Sequence, residues 1–280
     1  MSAGARASVA LEEIGKIPAF VRRDVLVAWS YRLAFFSDWI NLALQVALFY
    51  LVGVIVDERK LPSYGGEQTT YMEFVTLGIT LGAFVALALA RVAMGIRQEQ
   101  LTGTLESLMM TPTAPGTIQV GTVAYDLIYI PVRTALFVLI IALGFGLDYK
   151  LNGILPATAV LLAFIPFVWG IGIATAAAIL TLRGGGGAAA IALTVLTIGS
   201  AAYYPIEVFP GWTQQLVEWN PMTIAAEGLR EALLAGTTWG EVGRRIAVLA
   251  PASIVALAGG IGLFRLALRR ERQRGTLGLY

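Results

Sequence analysis

Five polar side chains stand inside stretches that are otherwise apolar, and any chemistry of this chain has to be sought there first. Asp126 and Arg133 lie in AYDLIYIPVRTALF, seven residues apart. On a helix they share a face but stand about 10 Å from each other along the axis. Asp38, Asn41 and Gln45 fall at i, i+3 and i+7, again one face of a helix. A charge at the centre of a membrane span costs about 2.5 to 3.5 kcal/mol on insertion scales, which marks such residues for function. Two roles compete for Asp126 and Arg133. Either they belong to a polar pathway, or Asp126 is solvated at a membrane interface while Arg133 snorkels or pairs with another helix. A direct pair would need Pro131 to bend the helix between them. For Asp38, Asn41 and Gln45, hydrogen bonding between helices and a translocation path fit equally well.

Bond-breaking chemistry has little to stand on. The chain contains no His and no Cys, so a Ser-His-Asp site is impossible and the usual zinc, haem, thiolate and proton-relay ligands are missing. The run GGGG at Gly184 to Gly187 has the glycines of a phosphate-binding loop but no Lys after them, and reads as an inner turn. No Gly-x-Ser-x-Gly elbow occurs. No metal or cofactor site is expected in this chain.

The elements that must position these residues are membrane helices. Of 280 residues, 57% are hydrophobic and 14% charged, with mean hydropathy +0.74. That is more apolar surface than a soluble domain of this size buries. The long apolar runs do not alternate with period two, so they predict helices. Six spans are expected: Trp39 to Val56, Phe74 to Ile96, one within Thr117 to Leu147, Ile154 to Leu182 interrupted by Pro156 and Pro166, Ala188 to Ala202, and Ile246 to Leu268. GITLG, Gly78 to Gly82, is a small-xxx-small pattern expected to serve ordinary helix contact. With the N-terminus inside, thirteen of the twenty Lys and Arg fall on the cytoplasmic side and six outside, with Arg133 left within a span. This bias places both termini in the cytoplasm. The opening MSAGARASVALEEIGK has acidic residues and no apolar core, unlike a cleavable secretory signal. A net charge of +2 gives no ground for a nucleic-acid partner.

Two further segments are neither span nor plain loop. Residues 17–36 place Ile17, Phe20, Val21, Val25, Ala28 and Trp29 at helical spacing, predicting an amphipathic helix in the inner interface. Residues 203–239 are rich in Trp and Tyr, broken by Pro205, Pro210 and Pro221, and studded with Glu; they predict short helices forming a re-entrant or interfacial cap on the outer side.

The stretch RQEQLTGTLESLMMTPTAP, residues 97–115, interrupts the apolar pattern on the cytoplasmic side. Leu101, Leu105, Leu108 and Met109 recur at helical spacing, while Gly103 favours a break. A short helix over Thr104 to Met110 is predicted, with Pro112 after its stop. Glu99 and Glu106 against Arg97 suit a protein partner better than anionic lipid.

GTLESLMMTP, Gly103 to Pro112, resembles the Gly-Thr-Leu-Glu stretch followed by Thr-Pro in the cytoplasmic loop between the second and third spans of type-2 ABC exporter permeases. FPGWTQQLVEWNPMTIAAEGLREALL, Phe209 to Leu234, is similar to that family's Phe-Pro, Asn-Pro and Arg pattern before the last span. The family exports drugs, lipid-linked polysaccharides and related compounds. Met109 and Met110, where Leu is commoner, and the intramembrane Arg133 depart from its pattern.

The resemblance implies a single all-α transmembrane permease domain over residues 1–280, multi-pass in the inner or plasma membrane. It implies a coupling helix docking on a separate cytoplasmic ATP-binding subunit, with Gly103, Thr104, Leu105, Glu106, Leu108, Thr111 and Pro112 as the contact. Two ATPase copies, holding ATP and magnesium, would serve two permease copies, homodimeric or heterodimeric. The pathway would lie near the first, second and fifth spans. Phe209, Pro210, Trp212, Trp219, Asn220, Pro221 and Arg230 would form an outer gate. The expected substrate is amphipathic: a drug, lipid or lipid-linked glycan. Two rivals are an ion-coupled secondary transporter and an intramembrane lipid-modifying enzyme using Asp126 with Tyr125 and Tyr129.

Overall fold

The computed structural model describes residues 12–13, 15–56, 61–101, 111, 113, 115–182, 187–236 and 239–273. Its helices, in chain order, are α1 (Ile17–Ser30), α2 (Arg32–Gly53), α3 (Tyr71–Leu101), α4 (Pro115–Phe145), α5 (Ile154–Leu182), α6 (Gly187–Ile198), α7 (Gly211–Glu218), α8 (Pro221–Leu233) and α9 (Trp239–Gln273). Among the described residues there is no β-strand. Among the described residues four segments are long and apolar enough to cross a membrane: Tyr71–Arg91, Ala124–Phe145, Leu151–Ile179 and Trp239–Ala267. Trp39–Gly53 and Ala189–Ile198 are shorter apolar helices.

Helix α3 is the axis of the bundle because both of its sides are apolar and both are covered. Phe74, Leu77, Leu81, Val85 and Leu89 pack into a core shared with α5 and α8, while Val75 and Ile79 join Leu42 and Val46 of α2 and Phe137 and Ile141 of α4. Tight crossings are made at glycine, where helices approach closer than any side chain would allow. A Cβ on Gly170 of α5 would stand 2.3 Å from Ala256 of α9, and one on Gly260 of α9 would stand 2.1 Å from the Gly170 carbonyl. The GITLG glycines serve the same end. Gly78 faces the Ala202 carbonyl and Gly82 the Tyr203 hydroxyl, so the pattern seats the chain that follows α6 against α3.

The connections sort to two ends. At one end Lys150 pairs with Glu67 at 3.2 Å, the Lys150 amide donates to Leu233 O, and Asn152 reaches Gly236 O. The Glu67 carboxylate holds the Lys150 ammonium above its ordinary range. These contacts tie the α2–α3 loop, the α4–α5 loop and α8 into one cap end. At the other end, Phe20 of α1 lies over Gly121 of α4, and Arg91 of α3 approaches Asp126 of α4 at 3.8 Å.

The structure corrects several expected boundaries. The helix expected at the interface stops at Ser30, whose hydroxyl donates back to Leu26 O at 2.8 Å, and the first apolar helix begins at Arg32 after a break at Tyr31. Helix α5 is not interrupted. Pro156 falls in its first turn, where a missing N–H removes no helical bond, and Pro166 lies within the helix. Helix α6 ends at Ile198, short of the expected Ala202. The last helix starts at Trp239 and runs to Gln273, longer than its apolar run; Glu241 in its first turn complements the helix dipole.

Candidate functional site

Of the polar residues singled out in the sequence, Asn41, Gln45 and Arg133 are brought together. They line an open cavity of about 350 Å³ halfway along the bundle, between α2, α3, α4 and α6. Asn41 and Gln45 point into it from α2, one turn apart, as their spacing predicts. Thr194 and Thr197 come from α6, and Thr197 satisfies its hydroxyl on Leu193 O at 2.8 Å. Among the described residues the two side-chain amides make no hydrogen bond. Arg133 is buried, with its guanidinium carbon 5.9 Å from the centre of the Trp39 ring, and that ring tilts against Phe137. Cation–π contact and the apolar wall hold the charge at the cavity rather than letting it snorkel to the surface.

Tyr203 closes the cavity toward the cap and was missed by pattern reading. Its ring stacks on Phe49 of α2 with centroids 5.5 Å apart, and its hydroxyl fills the space left by Gly82. The signal for it was the pair of glycines in GITLG, read as helix contact without its partner.

Asp126 goes elsewhere. It is buried beside Arg91 and does not line the cavity. Its neighbours Tyr125 and Tyr129 stack on each other, centroids 5.2 Å apart. Asp38 lies in α2, but its side chain is outside the described residues.

The cap motifs sit at helix starts. Phe209-Pro210 starts α7: Phe209 O accepts from Gln214 Nε2 at 3.0 Å, and Pro210 O accepts from the Thr213 amide at 2.8 Å. Asn220-Pro221 starts α8. The Asn220 side-chain oxygen accepts from the Met222 amide at 2.9 Å, while its nitrogen donates to Gly199 O at 2.6 Å and Leu196 O at 3.2 Å. One side chain thus caps the N-terminus of α8 and the C-terminus of α6, with Pro at the helical position that needs no donor. Trp212 in the first turn of α7 and Trp219 at its C-cap are 80% and 73% exposed.

Arg230 is 0% exposed and uses all five of its N–H donors. Nε and Nη2 each donate to Phe74 O at 3.2 Å, Nη2 also to Ala202 O at 2.7 Å, and Nη1 to Ala201 O at 2.8 Å and Glu227 Oε1 at 2.7 Å. The guanidinium carbon sits 3.5 Å over the Phe74 ring. The other Glu227 oxygen accepts from the Tyr64 hydroxyl at 2.8 Å. Burial pushes the Tyr64 phenol well above its ordinary value, against the pull of Arg230, so it remains a donor. Tyr64, Glu227 and Arg230 therefore lock the α2–α3 loop, α8 and the end of α6 onto α3.

Of the expected coupling contact, Gly103, Thr104, Leu105, Glu106, Leu108 and Pro112 lie outside the described residues. Thr111 is exposed in a tight bend, its carbonyl accepting from the Thr113 amide at 2.7 Å.

No curated protein matches the chain. The profile of the ABC-2 type transporter family matches residues 16–234, from the N-cap of α1 to the C-cap of α8. It thus takes in both the cavity and the Arg230 lock. With its apolar helices this makes the chain an integral membrane protein and a transport subunit, and it belongs to the ABC-2 type transporter family.

Proposed function

We propose that the chain is half of the membrane core of an ATP-driven exporter, and that the cavity at Asn41, Gln45 and Arg133 is this half's share of the translocation path. The observation that carries this is the position of the three residues: mid-bundle, at the depth of the apolar helices, around a space rather than against each other. A polar face on an apolar helix beside a buried charge is expensive in a membrane and marks substrate routes. A second permease copy, identical or homologous, completes the path. Ile40, Leu44, Leu48 and Leu51 of α2 and Ile191, Val195 and Ile198 of α6 are exposed on the two helices that flank the cavity, which supports that meeting face.

In this reading six helices cross the inner or plasma membrane, both termini are cytoplasmic, and the loop over Thr104 to Met110 couples to two ATP-binding subunits. Those subunits hold ATP and magnesium. Their closure pushes on the coupling loops and on α1, which rests on α4 through Phe20 and Gly121, and biases the bundle toward an outward-open arrangement. The cap, with Trp212, Trp219 and the Phe-Pro and Asn-Pro helix starts, gates the outer exit. The substrate is amphipathic, with its polar part at Asn41, Gln45 and Arg133 and its apolar part along Leu42, Leu87 and Leu193. Asp126, which an ion-coupled carrier or lipid-modifying enzyme would need, lies off the cavity.

The test is transport by the assembled complex in vesicles. Replacing Asn41 and Gln45 together by Leu should lower ATP-dependent export roughly tenfold, the value of about one charge-assisted hydrogen bond, while ATP hydrolysis by the complex persists. Unchanged export by that variant would remove the cavity from the path.

A further inference from the structure

A second cavity, of about 480 Å³, lies at the cap end, between the end of α7, α8 and the first turns of α9. Its charged lining is Glu218, Glu231, Glu241, Arg244 and Arg245, beside Trp219. Arg245 and Glu231 form a two-pronged pair, with Nε donating to Oε2 at 2.7 Å and Nη2 to Oε1, and so neutralise one another. Glu218, Glu241 and Arg244 make no hydrogen bond or ion pair among the described residues. Opposite charges therefore stand exposed round one open space, with Glu241 and Arg244 one helical turn apart on α9.

The cavity also adjoins an exposed apolar stripe. Trp212 and Leu216 of α7 and its C-cap Trp219 recur at i, i+4 and i+7 and are 80%, 69% and 73% exposed, an apolar stripe along a short helix with Thr213, Gln214 and Gln215 between. Indoles on such a stripe seat at the headgroup level of a bilayer. Trp219 belongs both to the stripe and to the cavity wall, so a molecule with its apolar part along the stripe has its polar end in the cavity.

We infer that this cavity binds the headgroup of a zwitterionic phospholipid carrying a primary ammonium, with its phosphate on Arg244 and its ammonium between Glu218 and Glu241. The charge balance selects among lipids. A primary ammonium offers three N–H donors to the two carboxylates, whereas a quaternary ammonium offers none. An anionic headgroup meets two unpaired carboxylates against one unpaired arginine. The assignment does not depend on the transport reading or on which membrane face the cap occupies.

The test uses the full chain purified in mild detergent, stripped of lipid, and offered phosphatidylethanolamine, phosphatidylcholine and phosphatidylglycerol in separate titrations read by native mass spectrometry. Phosphatidylethanolamine should be retained at least threefold better than either of the others, the selectivity of about one partly exposed charge pair. The double variant Glu218→Gln, Glu241→Gln should abolish that preference, and Arg244→Gln should weaken retention of all three phosphate-bearing lipids. Equal retention of the three by the unaltered chain, or a preference for phosphatidylglycerol, overturns the proposal without any variant. So does a folded, monodisperse double variant that keeps the preference.

Discussion

A single arginine decides how the cap is built. A guanidinium with five donors meets three main-chain carbonyls and one carboxylate in a fixed fork, and lysine has neither the donor count nor the planar geometry to replace it. Arg230→Lys should therefore destabilise the protein by about 3–5 kcal/mol, the usual cost of breaking a buried charged network. A thermal melt followed by size-exclusion fluorescence would register this as a large downward shift, and a melt at the unaltered temperature would count against the lock. Glu227→Gln keeps an acceptor for Tyr64 and Arg230 and should cost less. From sequence, Arg230 stood out only through the family resemblance, as an outer-gate residue, because nothing local announces that Phe74, more than a hundred residues away, supplies the acceptor. Asn220-Pro221 was more legible, since capping chemistry is local and its residues are adjacent.

At the scale of elements, the glycines divide into those that carry a crossing and those that do not. A Cβ at Gly78 would stand 1.6 Å from the Ala202 carbonyl, whereas one at Gly259 on α9 meets nothing within 4 Å. Gly78→Ala must displace backbone, so it should lower the melting temperature and loosen the seat of Tyr203. Gly259→Ala should be neutral or stabilising by up to about 1 kcal/mol, the helix preference of Ala over Gly. If the two variants melted alike, the close approach of α3 to the segment after α6 would be in doubt. Hydropathy reached the long helices well, because an apolar run of adequate length has few other solutions in lipid. It misjudged their ends for identifiable reasons. Ser30 turns back on Leu26 where α1 ends, within the 17–36 stretch expected as one helix. Helix α6 stops at Ile198 because the carbonyls that follow are taken by Arg230 and Asn220 rather than by further helix. Helix α9 begins before its apolar run because charged residues such as Glu241 and Arg244 fit its first turns.

At the scale of the whole molecule, the Arg230 and Tyr64 contacts tie the cap end to α3. The gate reading predicts that trimming Trp212 and Trp219 to Ala together alters export or passive leak in vesicles, and unaltered export and leak would deny the cap that part. The candidate path was partly legible: Asn41 and Gln45 declared themselves by spacing, and Arg133 by its cost in a span. Asp126 was equally conspicuous yet faces Arg91, because which neighbour meets a helix face is set by packing that one-dimensional spacing does not encode.

The coupling role is the central claim, and purification of the tagged chain from its native membrane in mild detergent tests it most directly, with the unaltered chain and Glu106→Arg side by side. The account predicts that an ATP-binding subunit co-purifies with the unaltered chain and that the variant loses it or separates its ATP hydrolysis from export. A monodisperse chain that comes out alone and transports without ATP, or normal coupled export by Glu106→Arg, would contradict it.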